Sequence, residues 1–161
     1  MVNVLFICHG NICRSPIAHM ILNNYIKVHN LEDQISVDSK ACSSEEIGNS
    51  IYPNAKKCLI EHSIPIIEHY ATKFEAKDYK YYDYIICMDK DNIYRMNKIK
   101  NDTDNKYHLL FDFINQNREV ADPWYTRDFN KTFNDLIEGI NGFINYLVNN
   151  KMIKEEINEK I

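Results

Sequence analysis

The most informative segment of this sequence lies near its amino terminus and is Val4-Leu5-Phe6-Ile7-Cys8-His9-Gly10-Asn11-Ile12-Cys13-Arg14-Ser15-Pro16. Residues 2–7 are apolar on both faces apart from Asn3, which is typical of a strand buried within a parallel sheet. Ser15 and Pro16 predict an N-cap and the first turn of a helix, which apolar residues at helical spacing extend to about Val28. The segment therefore predicts a strand, a loop over residues 8–15 and a helix.

Strands and helices alternate along the rest of the chain. Further strands are predicted at 35–38, 84–88 and 107–111, further helices from Pro53 toward His62, after Asp89 and over 130–150, and loops at 39–52 and 112–129. This alternation predicts a three-layer, Rossmann-like α/β fold, in which a four-stranded parallel sheet carries helices on both faces. Residues 1–150 are predicted to form one domain, and residues 151–161 to extend the last helix or fray.

The composition limits the classes of protein that this chain represents. Of its 161 residues, 45% are apolar and 26% are charged, the balance of a soluble globular protein, and the net charge of -4 argues against a broad nucleic-acid surface. The first apolar run is too short for a signal sequence or a membrane span, and five cysteines without scaffold spacing predict free thiols. We therefore expect a cytoplasmic protein without nucleic-acid or membrane partners. The six histidines show no ligand spacing, so neither a metal nor another cofactor is expected.

The loop after the first strand carries the candidate chemistry, because ligands of parallel sheets bind beyond the carboxyl ends of the strands. Its amide groups can turn inward as an anion-binding nest, helped by Gly10 and by Asn11, which tolerates positive φ. Such surroundings favour the thiolate form of Cys8, a nucleophile that needs no separate base. The guanidinium of Arg14 can hold two phosphate oxygens at once, and Ser15 can donate to the Cys8 sulfur. Spacing alone would favour an inert buried cysteine and a surface arginine, but the strand, glycine and helix start favour a phosphate loop.

Three segments resemble the low-molecular-weight protein tyrosine phosphatases. They are Phe-Ile-Cys-His-Gly-Asn-Ile-Cys-Arg-Ser-Pro (6–16), Asp-Tyr-Ile-Ile-Cys-Met-Asp (83–89) with Asn92 shortly after, and Asp-Pro-Trp-Tyr (122–125). They occur in the family's order and spacing, so the resemblance covers nearly the whole chain through about residue 150. It implies a phosphotyrosine phosphatase I-like fold and hydrolysis of phosphotyrosine or small aryl phosphates through a phosphocysteine, with inhibition by phosphate and vanadate.

The resemblance also implies roles for individual residues. It makes Cys8 the nucleophile, Arg14 the phosphate clamp and Asp122 the proton donor, a role that the generic Asp-Pro turn signal would not suggest by itself. It assigns phosphate binding to the remaining residues of the loop, namely His9, Gly10, Asn11, Ile12, Cys13 and Ser15. Trp124 and Tyr125 would form an aromatic wall of the pocket, although loop packing is the alternative. Ser39, His69 and Asp89 would support the loop, with Asp89 capping a helix or joining the polar network.

Cys13 and three departures from the family pattern leave questions open. Related proteins form a reversible disulfide between the cysteines equivalent to Cys8 and Cys13, but Cys13 could equally be a small apolar filler. The pocket position that is usually aromatic or histidine is occupied by Glu45, or by Glu46 if the register slips by one. Asn54 and Thr72 each replace an arginine of the family, so substrate preference is in doubt.

Two other functions compete with the phosphatase. A thiol-dependent arsenate reductase of the same fold would need two further cysteines close together late in the chain, and no cysteine follows Cys87. A catalytically silent phosphotyrosine-binding module would be expected to lack the nucleophile or the acid, and Cys8 and Asp122 are both present. The phosphatase is therefore the favoured interpretation.

Overall fold

The computed structural model describes residues 1–154, and within them the chain forms a sheet of four parallel strands. The strands are β1 (Val2–Cys8), β2 (Ile35–Ala41), β3 (Tyr84–Cys87) and β4 (Tyr107–Leu109), in the order β2-β1-β3-β4. All three strand pairs are parallel. The predicted fold class is therefore confirmed, and β1 lies at the centre of the sheet, where both faces are covered.

The unbroken apolar run of β1 is explained by the two layers that pack against it. Val4 and Phe6 point into one core, whereas Leu5 and Ile7 point into the other, as the alternation of a strand requires. All four side chains are fully buried. A strand of this kind cannot show the apolar-polar alternation of a half-exposed strand, which is why its sequence reads as continuous.

The helices occupy both faces of the sheet. They are α1 (Arg14–Val28), α2 (Pro53–Glu61), α3 (Lys90–Ile99), α4 (Pro123–Thr126) and α5 (Phe129–Asn149). Helices α1, α2 and α5 share the larger core with Val4 and Phe6. The opposite core is covered by α3 and by a 3-10 helix at Ala76–Tyr81, through Met96 and Tyr79.

Two boundaries in the first half of the chain differ from the prediction. Helix α1 begins at Arg14 with Cys13 as its N-cap, and the predicted cap, Ser15, lies inside the helix. Its hydroxyl is not free to cap because it contacts the Cys8 sulfur instead. Strand β2 continues to Ala41 rather than ending at residue 38, because residues 39–41 pair with the last three residues of β1. The predicted loop 39–52 is therefore shorter than expected.

The second half of the chain contains more helix than predicted. Strands β3 and β4 end earlier than expected, and a 3-10 helix over Leu110–Ile114 follows β4 directly. The Asp112 carboxylate accepts the Leu109 N–H, which turns the chain out of the strand. The predicted loop 112–129 also contains α4, which begins at Pro123 and is capped by Asp122. Helix α5 matches the prediction within one residue at each end.

The last helix ends at Asn149, and residues 151–154 do not continue it. Ile153 is buried against the larger core, and the backbone of Lys154 exchanges hydrogen bonds of 2.7 and 3.2 Å with the Gln34 side chain. The remainder of the predicted tail, 155–161, lies outside the described residues. Among residues 1–154, no helix is long and apolar enough to cross a bilayer.

Candidate active site

A cavity of about 550 Å³ opens at the carboxyl edge of the sheet, above the loop between β1 and α1. Cys8 and Arg14 line it from the two ends of this 8–15 loop. Distant segments complete the lining, with Glu45 from the loop after β2 and Asp122 and Trp124 from the start of α4. The topology therefore brings together residues that are more than a hundred positions apart in the sequence.

The sulfur of Cys8 is buried and accepts hydrogen bonds from within its own loop. The Ser15 hydroxyl lies 3.0 Å from the sulfur, and the backbone N–H of Asn11 donates to it over 3.3 Å. The Asn11 side-chain amide donates to the Ser15 oxygen over 2.8 Å, which leaves the hydroxyl proton for the sulfur. Asn11 adopts the left-handed conformation with φ of 61°, so asparagine rather than Gly10 provides the special backbone geometry of the loop.

The loop is held from below by residues that the sequence only partly identified. The ring Nε2 of His69 donates to the Asn11 carbonyl over 2.8 Å, and the Thr72 N–H donates to the Asn11 side-chain carbonyl over 3.2 Å. Ser39 contacts neither of these groups, because its hydroxyl pairs with His19 Nδ1 at 3.1 Å. Burial lowers the pKa of His19, and His69 lowers it further although Asp38 opposes both. His19 carried no sequence signal, since a lone histidine on a helix is usually structural.

The Arg14 side chain is almost fully buried and is held in one orientation by three acceptors. Its Nη1 donates to the Val120 carbonyl over 3.1 Å, while Nη2 lies 2.8 Å from Asp89 and 3.4 Å from Asp122. Burial by itself would lower the pKa of Arg14, but the charges of Cys8, Asp122 and Asp89 outweigh it and raise the pKa. The guanidinium is therefore fixed and charged before any ligand arrives.

Asp89 caps α3, which is one of the two roles that the sequence left open, and it also binds Arg14. One carboxylate oxygen accepts the Asn92 N–H over 2.8 Å and caps α3, while the other holds Arg14. The side chain of Asn92 in turn accepts the N–H groups of Met88 and Asp89. The junction between β3 and α3 is thereby locked, and with it the position of the arginine.

Asp122 and two exposed aromatic residues form one side of the cavity mouth. One Asp122 oxygen accepts the Trp124 N–H over 3.0 Å as the N-cap of α4, while the other faces Arg14. Trp124 and Tyr125 line the mouth and are 63% and 81% exposed, so they are available for contact with a ligand. The Asp122 side chain is 29% exposed, whereas Cys8 is buried, so the carboxylate is more accessible to solvent than the sulfur.

Two glutamates also line the cavity. Glu45 pairs with His9 Nε2 at 2.8 Å, whereas Glu46 accepts the Asn49 side-chain amide over 2.7 Å. Both line the cavity, so each of the two predicted registers places a carboxylate there. A Cβ at Gly10 would lie 3.1 Å from the Glu46 side chain, which would have to move by a few tenths of an ångström.

The other candidate residues lie near the cavity with different surroundings. Cys13 lines it as a free thiol, and burial together with the charges of Cys8 and Asp122 raises its pKa to about 12. Ile12 contributes an apolar side chain to the lining. Asn54 is absent from this lining and faces a neighbouring, smaller cavity. Within residues 1–154, no three His, Cys, Asp or Glu side chains are grouped as a metal site would require.

Comparison with known proteins identifies the family that shares this architecture. The sequence model for the low molecular weight phosphotyrosine protein phosphatases matches residues 3–159. The chain is 33% identical to the low molecular weight protein-tyrosine-phosphatase PtpA of Staphylococcus aureus MRSA252 over 156 residues, which cover 96% of this chain and 99% of that protein.

Solved structures agree with the sequence comparison. YfkJ from Bacillus subtilis superposes with a TM-score of 0.88 at 28% identity, covering 94% of this chain and 97% of that chain. SP-PTP, a low molecular weight protein tyrosine phosphatase from Streptococcus pyogenes, superposes with a TM-score of 0.81 at 31% identity, covering 91% and 93% of the two chains.

A parallel sheet whose first strand ends in a cysteine-arginine loop facing one cavity is the architecture of an α/β phosphatase. The chain belongs to the low molecular weight phosphotyrosine protein phosphatase family. The resemblance, the fold class and the phosphatase activity predicted from the sequence are therefore confirmed.

Proposed function

We propose that Cys8, Arg14 and Asp122 carry the phosphatase reaction of this chain, with phosphotyrosine as the substrate. The loop amides and the Arg14 guanidinium would bind the phosphate oxygens and stabilise the charge that develops on them. The Cys8 sulfur attacks phosphorus while the bond from phosphorus to the tyrosine oxygen breaks. Asp122 gives its proton to that departing oxygen, so tyrosine leaves as the neutral phenol.

The second half of the reaction releases phosphate from the phosphocysteine. Asp122, now a carboxylate, takes a proton from a water molecule that attacks phosphorus. The bond between phosphorus and sulfur breaks, and the electron pair returns to Cys8 as a thiolate. The Ser15 hydroxyl and the Asn11 N–H donate to the sulfur and stabilise this charge.

The observation that carries the proposal is the placement of three groups around one cavity. The sulfur accepts two hydrogen bonds at its floor, and the Arg14 guanidinium reaches the Asp122 carboxylate over 3.4 Å. A phosphate held by the loop would therefore lie between the nucleophile and the acid. The aromatic side chains of Trp124 and Tyr125 support a substrate that carries a phenyl ring.

Substrate preference and compartment are further parts of the proposal. The carboxylates of Glu45 and Glu46 at the mouth would repel acidic segments and favour basic residues on that side of a phosphotyrosine. Phosphate and vanadate would inhibit by occupying the loop. The five cysteines are free thiols, which supports the cytoplasm as the compartment in which the chain works.

The test is hydrolysis of phosphotyrosine and p-nitrophenyl phosphate without added metal. We expect Cys8→Ser to be inactive, and Cys58→Ser, a buried cysteine away from the cavity, to serve as the matched control with full activity. Asp122→Ala should lose about 10²- to 10⁴-fold with phosphotyrosine and less with p-nitrophenyl phosphate, whose leaving group needs less protonation. Activity that survives Cys8→Ser would overturn the mechanism. Equal losses with both substrates would remove Asp122 from the role of acid.

A further inference from the structure

A second cavity, of about 210 Å³, lies next to the active site. The two cavities share Cys13 and Trp124 in their linings, so they adjoin each other at these two residues. The second cavity is otherwise built from the start of α2 and from the turn between α4 and α5. A ligand whose phosphate occupies the 8–15 loop would therefore carry its neighbouring groups past the opening of this cavity.

The walls of the second cavity are aromatic, and its one charged group is a cation. Tyr52 and Phe129 stack with their ring centroids 6.1 Å apart and an interplanar angle of 8°. Arg127 lines the cavity, and its guanidinium forms no hydrogen bond or ion pair with any of residues 1–154. Its backbone is fixed, with φ of 59° and an N–H that donates to the Pro123 carbonyl over 2.9 Å.

The carboxylates closest to Arg127 in the sequence are bound elsewhere. Asp122 caps α4 and faces Arg14, while Asp128 accepts the Lys131 N–H over 3.0 Å as the cap of α5. The Arg127 guanidinium therefore forms no ion pair with either neighbouring carboxylate, and it lies beside an aromatic surface. A carboxylate that enters the cavity would gain a partner there without displacing an existing ion pair.

We propose that this cavity is a subsite for an acidic side chain one or two positions from the phosphotyrosine of a substrate. An extended peptide advances about 3.3 Å per residue, so only its closest neighbours can reach across Trp124. An acidic residue on the opposite side would meet Glu45 and Glu46 instead. The mouth therefore orients a peptide by charge, with acidic residues toward Arg127 and basic residues toward the glutamates. This inference rests on phosphotyrosine as the substrate.

The experiment uses phosphotyrosine peptides in which one flanking position at a time is Glu, Gln or Lys. The selectivity, which is the ratio of kcat/KM for the Glu peptide to that for the Gln peptide, should reach about 2- to 5-fold at one position. It should fall to unity in Arg127→Gln, and Lys should become preferred in Arg127→Glu. Lys80→Gln, the same charge change in the 3-10 helix before β3, should keep the wild-type selectivity. Salt should reduce the selectivity, because the pair is exposed.

A binding measurement separates this inference from the proposed function. Trp124 is the only tryptophan, so its fluorescence in Cys8→Ser should report binding of the same peptides without turnover. A Glu preference in Kd that disappears when Arg127→Gln is added supports the subsite even if the wild-type enzyme were inactive. The subsite is overturned if no position favours Glu, or if the preference persists without Arg127. Loss of p-nitrophenyl phosphate hydrolysis in the wild type would instead contradict the proposed function alone.

Discussion

Replacing Ser15 with alanine removes one oxygen atom from beneath the nucleophile. The hydroxyl lies 3.0 Å from the Cys8 sulfur and accepts the Asn11 side-chain amide over 2.8 Å. Ser15 is fully buried, so water does not replace the lost oxygen without a rearrangement. Two consequences follow, one for the sulfur anion and one for the stability of the loop.

The size of each effect can be worked out from these contacts. A hydrogen bond to a charged group contributes about 1.5–3 kcal/mol. Its loss should slow the step that returns charge to the sulfur, the breakdown of the phosphocysteine, by roughly 10- to 150-fold, since about 1.4 kcal/mol corresponds to a factor of ten. The Asn11 amide also loses its acceptor, which should lower the free energy of unfolding by about 1–3 kcal/mol.

Stopped-flow hydrolysis of p-nitrophenyl phosphate measures the first effect, and urea unfolding measures the second. Because only the second chemical step is slowed by the missing donor, Ser15→Ala should release a burst of p-nitrophenol before a slow steady state. Ser43→Ala is the matched control, since its hydroxyl donates to the His9 carbonyl over 2.8 Å but does not contact the sulfur. It should lose stability without gaining a burst. A Ser15→Ala enzyme that is destabilised but has an unchanged kcat would refute the reasoning.

Three further predictions follow from the structure. Glu45→Trp should raise kcat/KM for aryl phosphates by placing an aromatic ring at the mouth, whereas the distant Glu61→Trp should not; an unchanged value would remove Glu45 from the pocket. Burial lowers the pKa of His108 although Asp112 and Asp102 oppose it, so the unfolded chain takes up a proton at a higher pH than the folded one. The free energy of unfolding should therefore decrease as pH falls below about 6.5, and by less in His108→Phe; equal decreases in urea titrations would contradict this. Mild peroxide should join Cys8 to Cys13, and mass spectrometry that finds no such link would end the redox prediction.

The part of the fold that sequence reasoning captured is the part that local patterns specify. The run before Cys8 is apolar at every core position, and α5 presents an apolar stripe of regular spacing, so both elements were predicted within a residue or two. The early end of β4 was missed because its cause, the Asp112 side chain holding the Leu109 N–H, looks like any other acidic residue in sequence. Short helices such as α4 contain too few residues for a helical spacing of apolar residues to be detected in the sequence.

The candidate site likewise contains residues that local patterns identify and residues that they do not. Asn11 was expected to tolerate a left-handed backbone, and it adopts one, because this preference is a property of the residue itself. The predicted contact of Ser15 with the Cys8 sulfur is present, whereas its predicted role as a cap is wrong because the Ser-Pro pattern does not reveal that the helix begins one residue earlier. The Val120 carbonyl that holds Arg14 had no signal, since every residue carries such a group. The acid role of Asp122 rested on the resemblance alone.

The hydrogen bonds that Val120 and Asp122 accept from Arg14 have a consequence for the folding of the chain. Arg14 lies in the second element of the chain, whereas Val120 and Asp122 come more than a hundred residues later in the sequence. The Arg14 guanidinium can therefore gain these partners only after residues 120–122 have been synthesised and have packed against it. A chain that ends before residue 120 should lack this fixed guanidinium even if its first strand and helix form.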